Sequence, residues 1–327
     1  MSFDDLPMTR SRALRIAHLS ENLTDSVLHY AKKTNGDLPE WLQAKIEKAY
    51  QLILEAQEFL QSQNSDLSKG GIFASPAGKS RVAKGLAGLL PEHDVYVEPF
   101  CGSAAVFLAK DPAKKTEVIN DFNPAMAEAW RILSRLTKAQ LETIKKKCWT
   151  GNKELFLKLR DSKPSGDLEK LYKFLYCRRF SYGSWDTSFS PGDAGKTSGI
   201  PAKLEKNVDR IRGVRVRTGD YKKVVDQYDS PSTVFFFDPP YVGYNSKVHE
   251  DTFDEKRFFE VLQKIKGKWL LTYGPRGELP KLLKNAGYKI RPFQTARSLS
   301  NAKGASNEKR LPNIITANYD LPRKLNL

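Results

Sequence analysis

The sequence predicts an α/β fold: a mostly parallel sheet covered by helices on both faces, carrying an insertion and preceded by a helical extension. Three observations carry this. From about residue 72, short apolar segments alternate with amphipathic ones. One of them, VYVEPFCGSAAVFLAK over 95–110, reads as strand, glycine-containing turn and helix. Between about 137 and 207 the alternation stops; the chain turns basic and aromatic, and its second half is rich in Gly, Ser and Pro.

The elements follow in order. Residues 1–66 read as two helices. The first spans 13–33 and stops at Asn35-Gly36. In the second, Leu42, Ile46, Ala49, Ile53 and Leu60 recur at helical spacing behind an Asp37/Glu40 capping box. The polar stretch QSQNSDLSKGG (61–71) reads as a linker. Strands are predicted at 95–99, 117–120, 214–218, 234–237, 269–273, 288–293 and 313–319, and helices at 79–90, 103–109, 124–136, 254–266 and 278–285. The resulting domains are 1–70 (helical extension), 71–136 with 208–327 (main body) and 137–207 (inserted subdomain).

Composition narrows the class. The 327 residues are 40% hydrophobic and 28% charged, as in a soluble globular protein. No apolar run is long enough for a membrane span, and the N-terminus lacks the apolar core of a secretory signal. Cys101, Cys148 and Cys177 are odd in number and far apart, which fits neither a disulfide framework nor a metal site and suits a reducing cytoplasm. The net charge of +16 is uneven: residues 1–70 hold eight Lys/Arg against ten Asp/Glu, a net of −2, which leaves +18 on the remainder. A basic surplus confined to the main body and insertion points to a polyanion there, nucleic acid first.

In a parallel α/β sheet, ligands bind beyond the carboxyl ends of the strands. Four predicted strand ends carry distinctive groups: Gly102 after 95–99, Asp121 in EVINDFNP, Asp220 in VRVRTGDY, and Asp238 in VFFFDPPY. Gly102 lets backbone approach a ligand closely, and Asp121 can accept both hydroxyls of a ribose.

The DPPY stretch combines residue types that one reaction needs. A nucleobase exocyclic amine is a weak nucleophile because its lone pair is delocalised into the ring. A carboxylate (Asp238) and a backbone carbonyl (Pro239) that both accept from the amine can draw it towards tetrahedral geometry. Proline fixes that carbonyl at little extra entropic cost. Tyr241 offers a flat face on which an extruded base can stack.

Together, DPPY, EPFCGSAAVFL, INDFNP and TGDY, in that order over roughly 72–320, resemble the Dam-type (D12 class) DNA adenine-N6 methyltransferases. The resemblance implies a Rossmann-like methyltransferase sheet whose last strand is antiparallel, with 137–207 as a target-recognition subdomain. It implies S-adenosylmethionine as methyl donor, no metal, and double-stranded DNA as substrate. Catalysis would rest on Asp238, Pro239, Pro240 and Tyr241. The cofactor would be held by Lys79, Phe100, Gly102, Ser103, Asp121, Asp220 and Asp238. Arg178, Arg179 and Lys196 would contact DNA. The sequence departs from the family in three places: Ala104 stands at the second glycine of the cofactor turn, Ser75 and Ala77 alter the family's opening lysine motif, which SPAGKSRVAKGLAGLLP (75–91) resembles, and Cys177 replaces an asparagine. Cytosine N4 as target, and a DNA-binding relative without turnover, remain open alternatives, as does a protein partner for the acidic extension.

Overall fold

The computed structural model describes residues 71–73, 79–181, 188–242, 253–295, 311–325 and 327. The hairpin predicted for 1–70, Ser75, Ala77 and residues 182–187 of the insertion lie outside the described residues.

Seven strands form one sheet in the order β3-β2-β1-β4-β5-β7-β6: β1 Val95–Glu98, β2 Thr116–Asp121, β3 Arg215–Thr218, β4 Thr233–Phe237, β5 Lys268–Tyr273, β6 Arg291–Thr295 and β7 Leu311–Ala317. β1 to β5 pair in parallel, and β7 runs antiparallel to both β5 and β6. The sheet is therefore mostly parallel, with its last strand reversed, as expected.

The three phenylalanines of β4 explain the apolar run. Alternate side chains point to opposite faces of a strand. Phe236 joins Tyr96, Ile119 and Leu270 in the core on one face, while Phe235 and Phe237 join Val97, Val118 and Leu271 on the other. The rings of Phe235 and Phe237 stack at 5.6 Å, nearly parallel. Each fully buried ring of this size contributes roughly 1.5–3 kcal/mol, so the run anchors the centre of the sheet before the chain reaches Asp238.

Helices cover both faces: α1 Ala83–Ala87, α2 Ala105–Ala109, α3 Pro124–Leu133, α4 Lys138–Lys145, α5 Lys153–Asp161, α6 Asp167–Phe180, α7 Ile200–Ile211, α8 Tyr221–Tyr228, α9 Glu255–Lys264 and α10 Leu279–Asn285. Local chemistry starts them. Asn123 accepts from the backbone of Ala125 and Met126, with Pro124 in the first turn of α3. Thr137 and Gln140 form a capping box on α4. Glu255 of α9 accepts from the Glu278 and Leu279 backbone and so caps α10.

Several boundaries differ from expectation. The predicted 79–90 helix forms only over α1, because turns occupy 80–82 and Gly88 ends it. β7 stops at Ala317 because the Asn318 side chain turns back to bind the Trp269 N–H and the Gly267 carbonyl. The inserted segment, for which no elements were predicted, is helical: α4 to α6, then α7, which runs past 207 to Ile211. Its aromatics are largely core. Trp149, Phe156, Tyr172, Tyr176 and Phe180 are buried together.

Candidate active site

β4 ends at the carboxyl edge of the sheet because the two prolines after Asp238 have no N–H with which to continue pairing. Asp238 emerges there against three donors. Lys79 Nζ lies 2.7 Å from Oδ2, and Oδ1 accepts from Thr272 Oγ1 at 2.8 Å and from the Tyr241 hydroxyl at 3.0 Å. Thr272 is there because β4 and β5 pair Phe237 with Leu271, which brings the next residue of each strand side by side. Lys79, 5% exposed, reaches the carboxylate from just before α1. The Lys79 ammonium also stands 5.0 Å from the centre of the Tyr241 ring, a cation–π distance. Tyr241 packs on Tyr273 at 5.2 Å, and the Tyr273 hydroxyl accepts from the Val242 N–H at 3.2 Å. The DPPY segment is thus pinned at both ends over the β4–β5 edge.

A second group forms at the ends of β1 and β2. Asp121 accepts from the backbone N–H of Gly102 at 2.9 Å and of Asn123 at 2.9 Å. The buried amide of Asn120 donates to the carbonyls of Pro99 and Gly219, clamping the ends of β1, β2 and β3 together. The turn is tight: Gly102 has φ +46°, and Ala104, fully buried, has φ +47°. Ser103 between them is buried. Trp130 of α3 donates its indole N–H to the Gly102 carbonyl at 2.9 Å, locking the turn from below.

Glu98, at the end of β1, is 2% exposed. One carboxyl oxygen accepts from the Tyr96 hydroxyl at 2.8 Å and from the Phe107 N–H at 3.1 Å. Burial pushes its pKa up to about 8, with those two hydrogen bonds opposing and the nearby Asp238 charge adding to the rise.

A third group gathers at the end of β3. Asp220 caps α8 by accepting from the Lys222 N–H at 2.7 Å and pairs with Arg257 at 2.8 Å. Partial burial pushes its carboxyl up, but the Arg257 and Lys222 hydrogen bonds outweigh it and hold the pKa below the usual carboxylate value. Phe100 lies beside this group, with its ring 5.1 Å from Tyr221 and 5.9 Å from Phe258.

The structure therefore brings Lys79, Phe100, Gly102, Ser103, Asp121, Asp220 and Asp238 to the carboxyl edge of one sheet, with Pro239, Pro240 and Tyr241. It places Arg178, Arg179 and Lys196 in the insertion. Arg178 is buried in α6 with its guanidinium 5.0 Å from the Phe174 ring. Arg179 pairs with Asp193 at 3.2 Å, and Lys196 is exposed in the turn that follows.

Three residues were not singled out by sequence reasoning. Thr272 is an ordinary strand residue until the register sets it against Asp238. Glu98 sits inside a quoted motif, yet only its burial marks it. Phe122, directly after Asp121, is 76% exposed, an unusual setting for a phenylalanine. Among the described residues, no group of three or more His, Cys, Asp or Glu could hold a metal ion, and no helix is long and apolar enough to cross a membrane.

Comparison with known proteins returns a consistent result. Residues 77–297 match the family described as the D12 class N6 adenine-specific DNA methyltransferases. The chain is 23% identical over 271 residues to the Type II methyltransferase M1.LlaDCHI of Lactococcus lactis subsp. cremoris, covering 74% of this chain and 93% of the relative. It is 22% identical over 279 residues to the Type II methyltransferase M.MjaIII of Methanocaldococcus jannaschii, covering 73% and 94%. Among solved structures, the precorrin-6y C5,15-methyltransferase of Geobacter metallireducens aligns with 75% of this chain and 93% of its own, at 16% identity and a TM-score of 0.37, too low to add to what the strand order already says.

Proposed function

Because the chain belongs to the D12 class N6 adenine-specific DNA methyltransferase family, it is a DNA-methylating enzyme, and we propose that it acts on adenine N6 of a base flipped out of duplex DNA, with S-adenosylmethionine as donor. The observation that carries this reading is the Asp238 carboxylate: it stands at the carboxyl end of a central strand, held by Lys79, Thr272 and Tyr241, and followed at once by a rigid proline carbonyl.

When bound, S-adenosylmethionine supplies a methyl group activated by a sulfonium. The residues present suit it. Asp121 would hold the ribose hydroxyls; the Gly102 and Asn123 backbone N–H groups fix its carboxylate at the end of β2, beside the glycine turn. The exposed Phe122 ring offers an aromatic wall at the same strand end. Asp220 would accept from the adenine amine of the cofactor, and Lys79 would meet the methionine carboxylate. Phe100, Gly102 and Ser103 would line the pocket between them.

On the substrate side, Asp238 and the Pro239 carbonyl would both accept from N6 and turn its lone pair out of the ring plane. The Tyr241 hydroxyl occupies one Asp238 oxygen, so it must release that oxygen as the amine arrives, which frees its ring to stack on the base. Lys79 and Thr272 keep the carboxylate in place throughout. The N6 lone pair would take the methyl group as its carbon–sulfur bond breaks and a neutral thioether departs, and the extra N6 proton would then pass to Asp238 or to water, so no strong base is needed before attack. Unstacking a base costs a few kcal/mol; the surplus of +18 outside residues 1–70 supplies phosphate attraction to offset it. Within the insertion, Arg178, Arg179 and Lys196 are the candidates for DNA contact, and 137–207 for target recognition. The test is nucleoside mass spectrometry of unmethylated DNA incubated with the protein and the donor. N6-methyladenine supports the reading, and N4-methylcytosine as sole product overturns it.

A further inference from the structure

A groove of about 400 Å³ opens between α3 of the sheet body and α5 and α6 of the insertion. Its floor is apolar: Ala129 and Ile132 of α3 and Phe174 of α6. Its rim is basic: Arg160, Lys163, Lys170 and Lys173, against the single acid Glu128. Lys170 pairs with Glu128 at 2.9 Å and Arg160 with the adjacent Asp161 at 2.8 Å, and Lys163 and Lys173 leave the rim positive.

We propose that this groove is the seat of the chain's own N-terminal segment, residues 37–66. Two observations choose that occupant. The first is where the segment joins the body. Gly71 lies so close to the cofactor turn that a Cβ there would sit 2.9 Å from the Ser103 carbonyl oxygen, so the chain is fixed at this point. Two residues on, the Phe73 ring packs on Trp130 of α3 at 5.2 Å and edge-on against Phe174 at 5.2 Å. Phe174 is also the groove floor, so the 70 preceding residues start beside the groove.

The second observation is complementarity. Residues 37–69 hold six acids against three lysines, a net negative stretch at the N-terminal side of a chain with net charge +16. The same stretch has Leu42, Ile46, Ala49 and Ile53 at helical spacing, an apolar stripe suited to the floor, with Glu40, Glu47, Glu55 and Glu58 available to the basic rim. The segment also precedes residue 77, where the match to the methyltransferase family begins. Seated there, it straps the insertion to the sheet body and sets the angle at which the two halves meet DNA.

Zero-length carbodiimide cross-linking of the full chain tests this, with equal amounts of ¹⁴N- and ¹⁵N-labelled protein mixed and the linked peptides read by mass spectrometry. Links from Glu40, Glu47, Glu55 or Glu58 to Lys163 or Lys170, within one isotope, support the proposal. Lys163→Glu, at an exposed rim position, should reduce them severalfold while circular dichroism stays unchanged. Links that pair the two isotopes would make a second copy the occupant and overturn it. So would an absence of these links while exposed lysines such as Lys114 and Lys289 react. Rim lysines that stay unlinked in the free chain and become shielded only when duplex DNA is added would make the groove a DNA surface, which also overturns it.

Discussion

Lys79 and Asp238 are 159 residues apart in the chain, yet the ammonium lies 2.7 Å from the carboxylate and only 5% of the lysine side chain is exposed. An ion pair this sheltered from water is not a surface pair of negligible value; removing one partner leaves the other charge uncompensated. It ties the turn before α1 to the residue that follows β4.

Lys79→Met therefore keeps the bulk and removes the charge. Losing a preorganised charged group at a reaction centre costs on the order of a hundredfold or more in rate. Single-turnover methylation should fall by that order at saturating donor, with DNA binding retained. A variant that loses only donor affinity, with its saturated rate intact, would limit Lys79 to cofactor binding.

Thr272→Val is a finer probe, since it removes one hydroxyl from Asp238 and keeps the shape of a fully buried side chain. A hydrogen bond to a charged group contributes about 1.5–3 kcal/mol, so kcat should drop by roughly tenfold to a hundredfold. KM for donor should change little. An unaltered kcat would mean that Lys79 and the backbone alone position Asp238.

Ala104 sits at φ +47°, ψ +40°, where a side chain costs roughly 1–2 kcal/mol. Ala104→Gly relieves this and removes a methyl from the cofactor turn, against an unfolded-state entropy penalty of about 0.4–1 kcal/mol. Thermal unfolding should show the variant as stable as the parent or slightly more so, and calorimetry should show donor binding at least as tight. Marked destabilisation would mean that the methyl is a packed part of the core.

Glu98 gives a pH prediction. Its carboxyl is raised from 4.5 to about 8 by burial. The folded chain therefore holds a proton there that the unfolded chain has lost, and the stability this adds is full below about 4.5 and lost as pH rises through about 8. Glu98→Gln keeps an acceptor for the Phe107 N–H but cannot titrate. The unfolding temperature of the parent relative to Glu98→Gln should fall steadily from about pH 5 to about pH 9. A difference that stays constant would place the ionisation outside this window.

Much of this was legible in the sequence, for identifiable reasons. Phe235 to Tyr241 declare themselves because a buried strand rarely ends in an acid and two prolines, and the Gly102 turn and Asp121 follow from strand-end logic. What escaped was set by pairing and packing. Thr272 matters only through the β4–β5 register. α8 is eight residues long and opens on the Asp220 cap, so it reads as part of a strand-end motif. Arg178 stands in a basic, aromatic stretch whose sequence does not give its burial; α6 sets its guanidinium 5.0 Å from the Phe174 ring. Phe122 reads as a core residue by type, and only the fold leaves it exposed.

The most direct test of the account compares the parent with Asp238→Ala on unmethylated duplex DNA, using donor labelled in the methyl group and resolving the nucleosides. Label should appear in N6-methyladenine for the parent and not above background for the variant, with the variant still binding donor. Equal N6-methyladenine from both proteins would contradict the role of Asp238 on which the reading rests.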